Sequence, residues 1–134
     1  MSSLNLKKLR RAQQVVNSDP DFRTLGNIDI KLGLKVGGSA FLITFSGFTC
    51  HQVEKINSTR FREADCLIEM NGEQWDELSN DLNSADGDGI GLIGVDAREG
   101  VVKGINPRKK MDLYRYLTSV ETFLRVCGCD EEAA

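Results

Sequence analysis

Four cysteines, one histidine and a set of carboxylates are the side chains of this chain that could do chemistry. Cys50 stands next to His51, and a cysteine activated by a histidine is a common catalytic nucleophile. Neighbouring side chains point to opposite faces of a regular strand, so these two cannot act on one another there. Cys66 and Cys127 are conceivable partners, but an ordinary core or surface role for His51 is favoured. A site with several histidine ligands is excluded, because His51 is the single histidine.

The cysteine spacing predicts reduced thiols. Cys66 falls on the inward face of a predicted strand, where a thiol behaves as a small apolar group. Cys127 and Cys129 are separated by one residue, which is too close for a comfortable disulfide. This spacing also differs from the two-residue gap of common zinc sites. We therefore expect no metal site and no cofactor.

The carboxylates of Asp65 and Glu69 would share the outer face of one predicted strand. A strand rises about 3.3 Å per residue, so the two groups would lie roughly 13 Å apart. That distance is too great for the paired carboxylates of an acid–base mechanism. We expect both to be solvated surface groups.

The segment 83–100 is rich in glycine and also apolar. Asp86 and Asp88 fit the third and fifth positions of a calcium loop, but Val95 stands where that loop needs a bidentate carboxylate. The segment also lacks the glycine spacing and the lysine of phosphate-binding loops. We predict a loop whose apolar side chains either gate a ligand or pack against the core. These side chains are Ile90, Leu92 and Ile93.

Hydrophobic periodicity predicts three helices and five strands. The first helix lies within residues 1–20 and ends before Pro20, because proline disfavours helical geometry in the residue that precedes it. Asn71 is an N-cap for the second helix. Pro107 opens the third helix and Gly128 caps its end. The predicted strands are 27–36, 40–48, 49–56, 64–70 and 101–105, with a tight turn at Gly37-Gly38 and a bulge at Gly47.

This order of elements predicts an α+β domain. We expect a largely antiparallel five-stranded sheet that helices cover on one face. The chain of 134 residues is long enough for one core, so residues 1–134 are predicted to be a single domain, with 127–134 as a disordered tail.

The charge and the hydrophobicity of the chain argue against a nucleic-acid binder and against a membrane-spanning protein. A formal net charge of −3 argues against a nucleic-acid binder, which would show a basic face. The basic clusters at 7–11 and 108–110 are interpreted as solvated helix faces. No apolar run approaches the roughly 20 residues of a transmembrane helix. The polar N-terminus lacks the apolar region of a signal peptide, so we expect a cytoplasmic protein.

The stretch Ala64–Met70, with the sequence ADCLIEM, and the helix that carries Trp75 resemble the central signature of the sterol carrier protein-2 family of lipid-transfer domains. The residues Val101 to Gly104 are similar to the last strand of that family. The resemblance is residue-specific over the central strand and helix and follows the pattern alone elsewhere. The glycine-rich segment before Gly100 is longer than the family's usual connection.

The resemblance implies a hydrophobic tunnel between one sheet face and the helices, with no catalytic role. The ligand would be a fatty acyl chain, a sterol or an isoprenoid-like molecule. Trp75 and Phe123 could equally be ordinary core residues or tunnel walls. The predicted ligand-binding residues are Phe41, Ile43, Phe45, Trp75, Leu78, Leu82, Ile90, Leu92, Leu113, Leu117, Val120 and Phe123.

Two other functions are compatible with the sequence. One is an accessory protein with the same fold and no ligand, which supports a partner enzyme or forms a homodimer. The other is a small enzyme in which Asp96, Arg98 or Glu99 transfers a proton at the mouth of the tunnel. The spacing of residues gives no argument for the enzyme, so a non-catalytic function is favoured.

Overall fold

Helices and strands of the protein are seen in a computed structural model, which describes residues 4–24, 28–83, 91–104, 111, 113 and 115–128. The helices are α1 (Leu6–Ser18), α2 (Pro20–Thr24), a 3-10 helix (Ser58–Glu63), α3 (Gly72–Leu82), α4 (Gly91–Glu99) and α5 (Leu117–Gly128). The strands are β1 (Ile30–Val36), β2 (Ser39–Ser46), β3 (Thr49–Ile56), β4 (Cys66–Met70) and β5 (Val102–Gly104). Within these residues, no helix is both long and apolar enough to cross a membrane.

The five strands form one mixed sheet in the order β3-β2-β1-β4-β5. Two hairpins join β1, β2 and β3 in antiparallel fashion, and β4 pairs with β5 antiparallel as well. β1 and β4 run parallel, with Leu32 opposite Cys66 and Leu34 opposite Ile68. The five strands are confirmed, while the sheet is less antiparallel than predicted. The reason is that the chain returns from the edge strand β3, through the 3-10 helix, to the far side of β1.

Glycines with positive φ angles form both hairpin turns. Gly37, with a φ of 60°, lies between β1 and β2, which confirms the predicted turn. Gly47, with a φ of 64°, lies between β2 and β3. Gly47 is therefore a turn residue, and the prediction of a bulge inside a strand at this position is wrong. The irregularity in the β2–β3 pairing occurs instead between Thr44 and Phe45.

One face of the sheet, here called the inner face, packs against α1, α2, α3, α4 and α5. Cys66, Ile68 and Met70 of β4 alternate as predicted and are buried on this face. Leu9 of α1 and Leu124 of α5 are fully buried in the same apolar cluster. The main core of the described residues therefore lies between the inner face and the helices.

The 3-10 helix covers part of the opposite, outer face. Phe61 packs there on a small apolar cluster that includes Leu42 and Ile56. Gly33 of β1 makes room for the ring, since a Cβ at Gly33 would lie 2.9 Å from the Phe61 Cδ1. Asn57 caps the start of the 3-10 helix, where its side chain accepts from the Thr59 N–H.

α1 is fixed to the edge strand β3 by side-chain amides. The Gln13 Nε2 donates to the carbonyls of Cys50 and His51, each at 3.0 Å. Asn17 donates to the Cys50 carbonyl at 3.0 Å and accepts from the Cys50 N–H at 2.8 Å. α1 ends with Asp19 as its C-cap, as expected from Pro20.

α5 shortens the predicted C-terminal tail. Cys127 is fully buried within α5, and Gly128 is the last residue of that helix. The tail predicted to begin at residue 127 therefore starts too early. Residues 129–134 and Pro107 lie outside the described residues.

Candidate functional site

The predicted ligand-binding residues come together in one apolar cluster between the inner face and the helices. β2 contributes Phe41, Ile43 and Phe45, all at most 2% exposed. The helical residues of this cluster are Trp75, Leu78, Leu92, Leu113, Val120 and Phe123, which are buried, with Leu82 and Leu117 half-buried at its margin. Ile90 lies outside the described residues. Their role as ligand-binding residues is a proposal.

The sheet side and the helix side of this cluster touch at Phe45 and Phe123. Their ring centroids are 5.5 Å apart and the rings are nearly perpendicular, at 85°. This edge-to-face arrangement is a favourable one for aromatic pairs. At this point, the two apolar layers are in direct contact.

α3 begins with a complete capping box, which fixes where its apolar stripe points. The Asn71 side chain accepts from the Gln74 N–H at 2.8 Å, and the Gln74 side chain accepts from the Asn71 N–H at 2.9 Å. Two otherwise unpaired backbone donors are thereby satisfied. Trp75 and Leu78 consequently face the sheet and are buried.

Residues 91–99 form the helix α4, although a loop was predicted there. The glycines of this segment interrupt the spacing of its apolar residues, so the sequence did not show a helical period. Leu92 and Val95 are three residues apart and both are buried. Side chains of two other helices hold its first turn. The Gly91 N–H donates to Asp81 of α3 at 2.6 Å, and the Leu92 N–H donates to Glu121 of α5 at 2.7 Å. The prediction of a loop across 91–99 is therefore wrong, while packing of Leu92 on the core is confirmed.

The ends of α3 and α5 approach each other at Gly128. A Cβ on this glycine would overlap the Ser79 hydroxyl and would lie 2.8 Å from the Ser79 Cβ. The Asn83 side chain spans the same junction, donating to the carbonyls of Ser79 and Arg125 at 2.9 and 3.2 Å. Gly128 thus allows the close packing that brings Trp75 and Phe123 into one layer.

The thiols are unsuited to nucleophilic chemistry. Burial raises the pKa of Cys50 to about 12 and raises the pKa of Cys127 well above its ordinary value. A nucleophilic cysteine requires the thiolate, which these environments disfavour. Cys50 is buried while His51 is exposed, so the two point apart as predicted. Cys50, Cys66 and Cys127 are buried cysteines that are not joined in disulfides.

The carboxylates have structural partners. Glu69 accepts from the Lys103 ammonium at 2.8 Å and lies 3.6 Å from that of Lys35, and these cations lower its pKa. Asp65 accepts from the Lys31 N–H at 2.9 Å. Both lie on the outer face, as expected. Within the described part of the chain, no group of three or more histidine, cysteine or acidic residues could hold a metal ion.

The residues considered for an enzyme do not converge. Asp96 is buried and accepts from the Val102 N–H at 2.8 Å, which ties α4 to β5. Arg98 forms its ion pair with Glu77 of α3. The side chain of Glu99 lies outside the described part. Asp96 and Arg98 thus bind α4 to the neighbouring elements β5 and α3.

An open groove lies along α1, and nothing in the sequence beyond a basic cluster indicated it. Its volume is about 390 Å³. We call it the α1 groove, lined by Leu6, Lys7, Arg10, Arg11 and Gln14. Met111, which precedes α5, is 71% exposed and lines neither the apolar cluster nor this groove.

No protein-family model matches the chain, and no curated protein does so. Among solved structures, the chain is similar to the solution structure of TT1886 from Thermus thermophilus, a conserved hypothetical protein described as a possible sterol carrier protein. The two chains are 15% identical, with a TM-score of 0.68, over 95% of this chain and 88% of TT1886. The likeness shows that the two chains share a fold.

Proposed function

We propose that this protein binds and carries an apolar small molecule, such as a fatty acyl chain, a sterol or an isoprenoid, and performs no chemistry on it. The ligand would lie between β2 and the layer of α3, α4 and α5. One observation supports this most directly: the apolar residues of the sheet and of three helices belong to one continuous cluster. The shared fold with a possible sterol carrier protein is consistent with the same function.

The energetics allow a ligand without a polar anchor. About ten methylenes, buried at roughly 0.8 kcal/mol each, give about 8 kcal/mol. Association costs of at least about 4 kcal/mol then leave at most about 4 kcal/mol, which corresponds to a Kd of about 1 mM or weaker for a chain of this length.

Binding must separate the two layers where they touch. The Phe45–Phe123 contact would be lost or rearranged when a ligand chain enters beside it. Such a pair contributes about 0.5–1.5 kcal/mol beyond its buried area. This cost is small against the gain of about 8 kcal/mol, so the contact is compatible with a site that opens around its ligand.

The test uses the single tryptophan as the probe. Trp75 is 1% exposed and lies in the cluster, so its emission should be quenched saturably by a fluorescent fatty acid. A Val120→Phe variant fills the proposed space and should weaken binding about tenfold or more. Val15→Phe adds the same volume at a site 39% exposed and serves as the matched control.

One result of the titration would contradict the carrier function. An unchanged Trp75 emission with acyl, sterol and isoprenoid ligands, in protein whose circular dichroism shows a folded chain, would overturn it. Native mass spectrometry of freshly purified protein provides a second readout, as a carrier should retain a co-purifying apolar molecule.

A second candidate is an accessory protein with a filled interior, and the Phe45–Phe123 contact favours it. Such a protein would act through its surface, on a partner enzyme or as a homodimer. Mass determination by light scattering after size exclusion would show a dimer. A ligand-free monomer that captures no enzyme in a pulldown would exclude this function.

A further inference from the structure

We propose that the α1 groove is a second part of the ligand site, which binds the anionic end group of an amphiphilic molecule. The groove volume of about 390 Å³ falls within the range of small-molecule sites. Three of its lining side chains are the cations Lys7, Arg10 and Arg11. The shared chemistry of the end group is a phosphate or a carboxylate attached to an apolar chain.

Charge is concentrated on this helix. α1 contains Lys7, Lys8, Arg10 and Arg11 and no acidic residue, in a chain whose formal net charge is −3. Among the described residues, neither Lys7 nor Arg10 forms an ion pair. The charges of Lys7 and Arg10 are therefore available to an anion. Guanidinium groups suit this task, because their donors match the oxygens of carboxylate and phosphate.

One of the cations is already held in place. The Arg11 Nη2 donates to the Val126 carbonyl near the end of α5 at 3.0 Å. This hydrogen bond fixes the half-buried guanidinium at the junction of α1 and α5. An anion that binds beside Arg11 therefore meets a charge whose orientation needs little further ordering.

The groove also borders the apolar core. Leu6 lines the groove and at the same time packs against the main apolar cluster. Val126, whose carbonyl binds Arg11, packs against that cluster too. An end group in the groove can thus be continued by an apolar chain along Leu6. This last step rests on the proposed function, which supplies the apolar half of the ligand.

The experiment compares three ligands of equal chain length by calorimetry: decyl phosphate and decanoic acid below their critical micelle concentrations, and decanol below its solubility limit. Both anions should bind at least about tenfold more tightly than decanol, because hydrogen bonds to charged groups are the strong ones. In a Lys7→Gln/Arg10→Gln double variant this ratio should fall to about two. Arg11 stays unchanged, since it also binds Val126.

Lys8→Gln is the matched control, because Lys8 lies on the same helix but does not line the groove. It should leave the ratio between anions and decanol nearly unchanged. Inorganic phosphate is a further competitor and should displace decyl phosphate only at far higher concentrations.

The outcomes separate the two proposals. If decanol and the two anions bind equally tightly, the proposal that the α1 groove binds an anion is overturned, and the carrier function is unaffected. The groove proposal also fails if the double variant keeps the ratio, or if inorganic phosphate competes as well as decyl phosphate does. A failure of all three chains to bind overturns the groove proposal, while the carrier function is decided separately by the titrations of Trp75 with acyl, sterol and isoprenoid ligands.

Discussion

The carboxylate of Glu121 on α5 accepts the backbone N–H of Leu92, in the first turn of α4, at 2.7 Å. Asp81 of α3 accepts the preceding N–H, that of Gly91, at 2.6 Å. The first turn of a helix has unpaired donors and a partial positive charge, which carboxylates stabilise. Since both acceptors come from other helices, α4 owes its position to tertiary contacts.

Replacing Glu121 by alanine should destabilise the protein by about 1–2 kcal/mol, because the Leu92 N–H loses its acceptor. Urea unfolding gives this difference. The amide of Leu92 should also exchange faster with deuterium, while the amides of β1 keep their protection. Glu121→Gln keeps an oxygen acceptor and should retain much of the stability. An unchanged urea midpoint in the alanine variant would show that the contact contributes nothing.

Gly128→Ala should destabilise the protein by about 1–3 kcal/mol, since a Cβ there overlaps the Ser79 hydroxyl. Gly72→Ala is the control: a Cβ at that helical position meets nothing within 4 Å. That change should be neutral or slightly stabilising, because alanine lowers the entropy of the unfolded chain. Thermal unfolding of both variants measures the contrast, and equal melting temperatures would contradict it.

Stability should fall as the pH rises from about 9 to about 12. Burial raises the pKa of Cys50 from 9.0 to about 12, so the folded protein keeps this thiol neutral where the unfolded chain ionises it. The unfolded state then binds fewer protons, which favours unfolding; below pH 9 the contribution is intact. The loss approaches about 1.4 kcal/mol per pH unit for one thiol.

Cys50→Ala tests this pH dependence. Urea midpoints at pH 7, 9 and 10 should show a shallower decline in the variant than in the unchanged protein. Cys127, whose pKa burial also raises, accounts for part of the remaining slope. Identical slopes in the two proteins would contradict the assignment to Cys50.

Lys103→Gln should raise the pKa of Glu69 toward its ordinary value of 4.5. The Lys103 ammonium donates to Glu69 at 2.8 Å and is the largest cause of the lowered pKa. Lys35 lies 3.6 Å away, and Lys35→Gln should therefore have a smaller effect. Carboxyl shifts measured by NMR between pH 2 and 6 give both values. A larger change from Lys35→Gln would reverse the ranking.

Local patterns allowed β4 and α3 to be predicted closely. The alternation of Cys66, Ile68 and Met70 sets the buried face of β4, and Asn71 starts α3 at the expected residue. Both signals depend on residues that are neighbours in sequence, where steric rules and capping decide the outcome. The cluster that contains Trp75 and Phe123 followed from the same periodicity.

Features that depend on distant residues could not be predicted in this way. The parallel pairing of β1 with β4 is set by the path of the 3-10 helix behind the sheet. α4 lacks a local start signal because its first donors are accepted by Asp81 and Glu121. The α1 groove could not be predicted from the basic cluster alone, because its shape depends on how α1 packs against α5.

The amide contacts of Gln13 and Asn17 on β3 bear on how the protein behaves at high concentration. β3 is an edge strand, and such strands expose donors and acceptors to which another chain can add a strand of its own. Gln13 and Asn17 occupy the carbonyl and N–H of Cys50 and the carbonyl of His51. α1 therefore shields this margin of the sheet against self-association into aggregates.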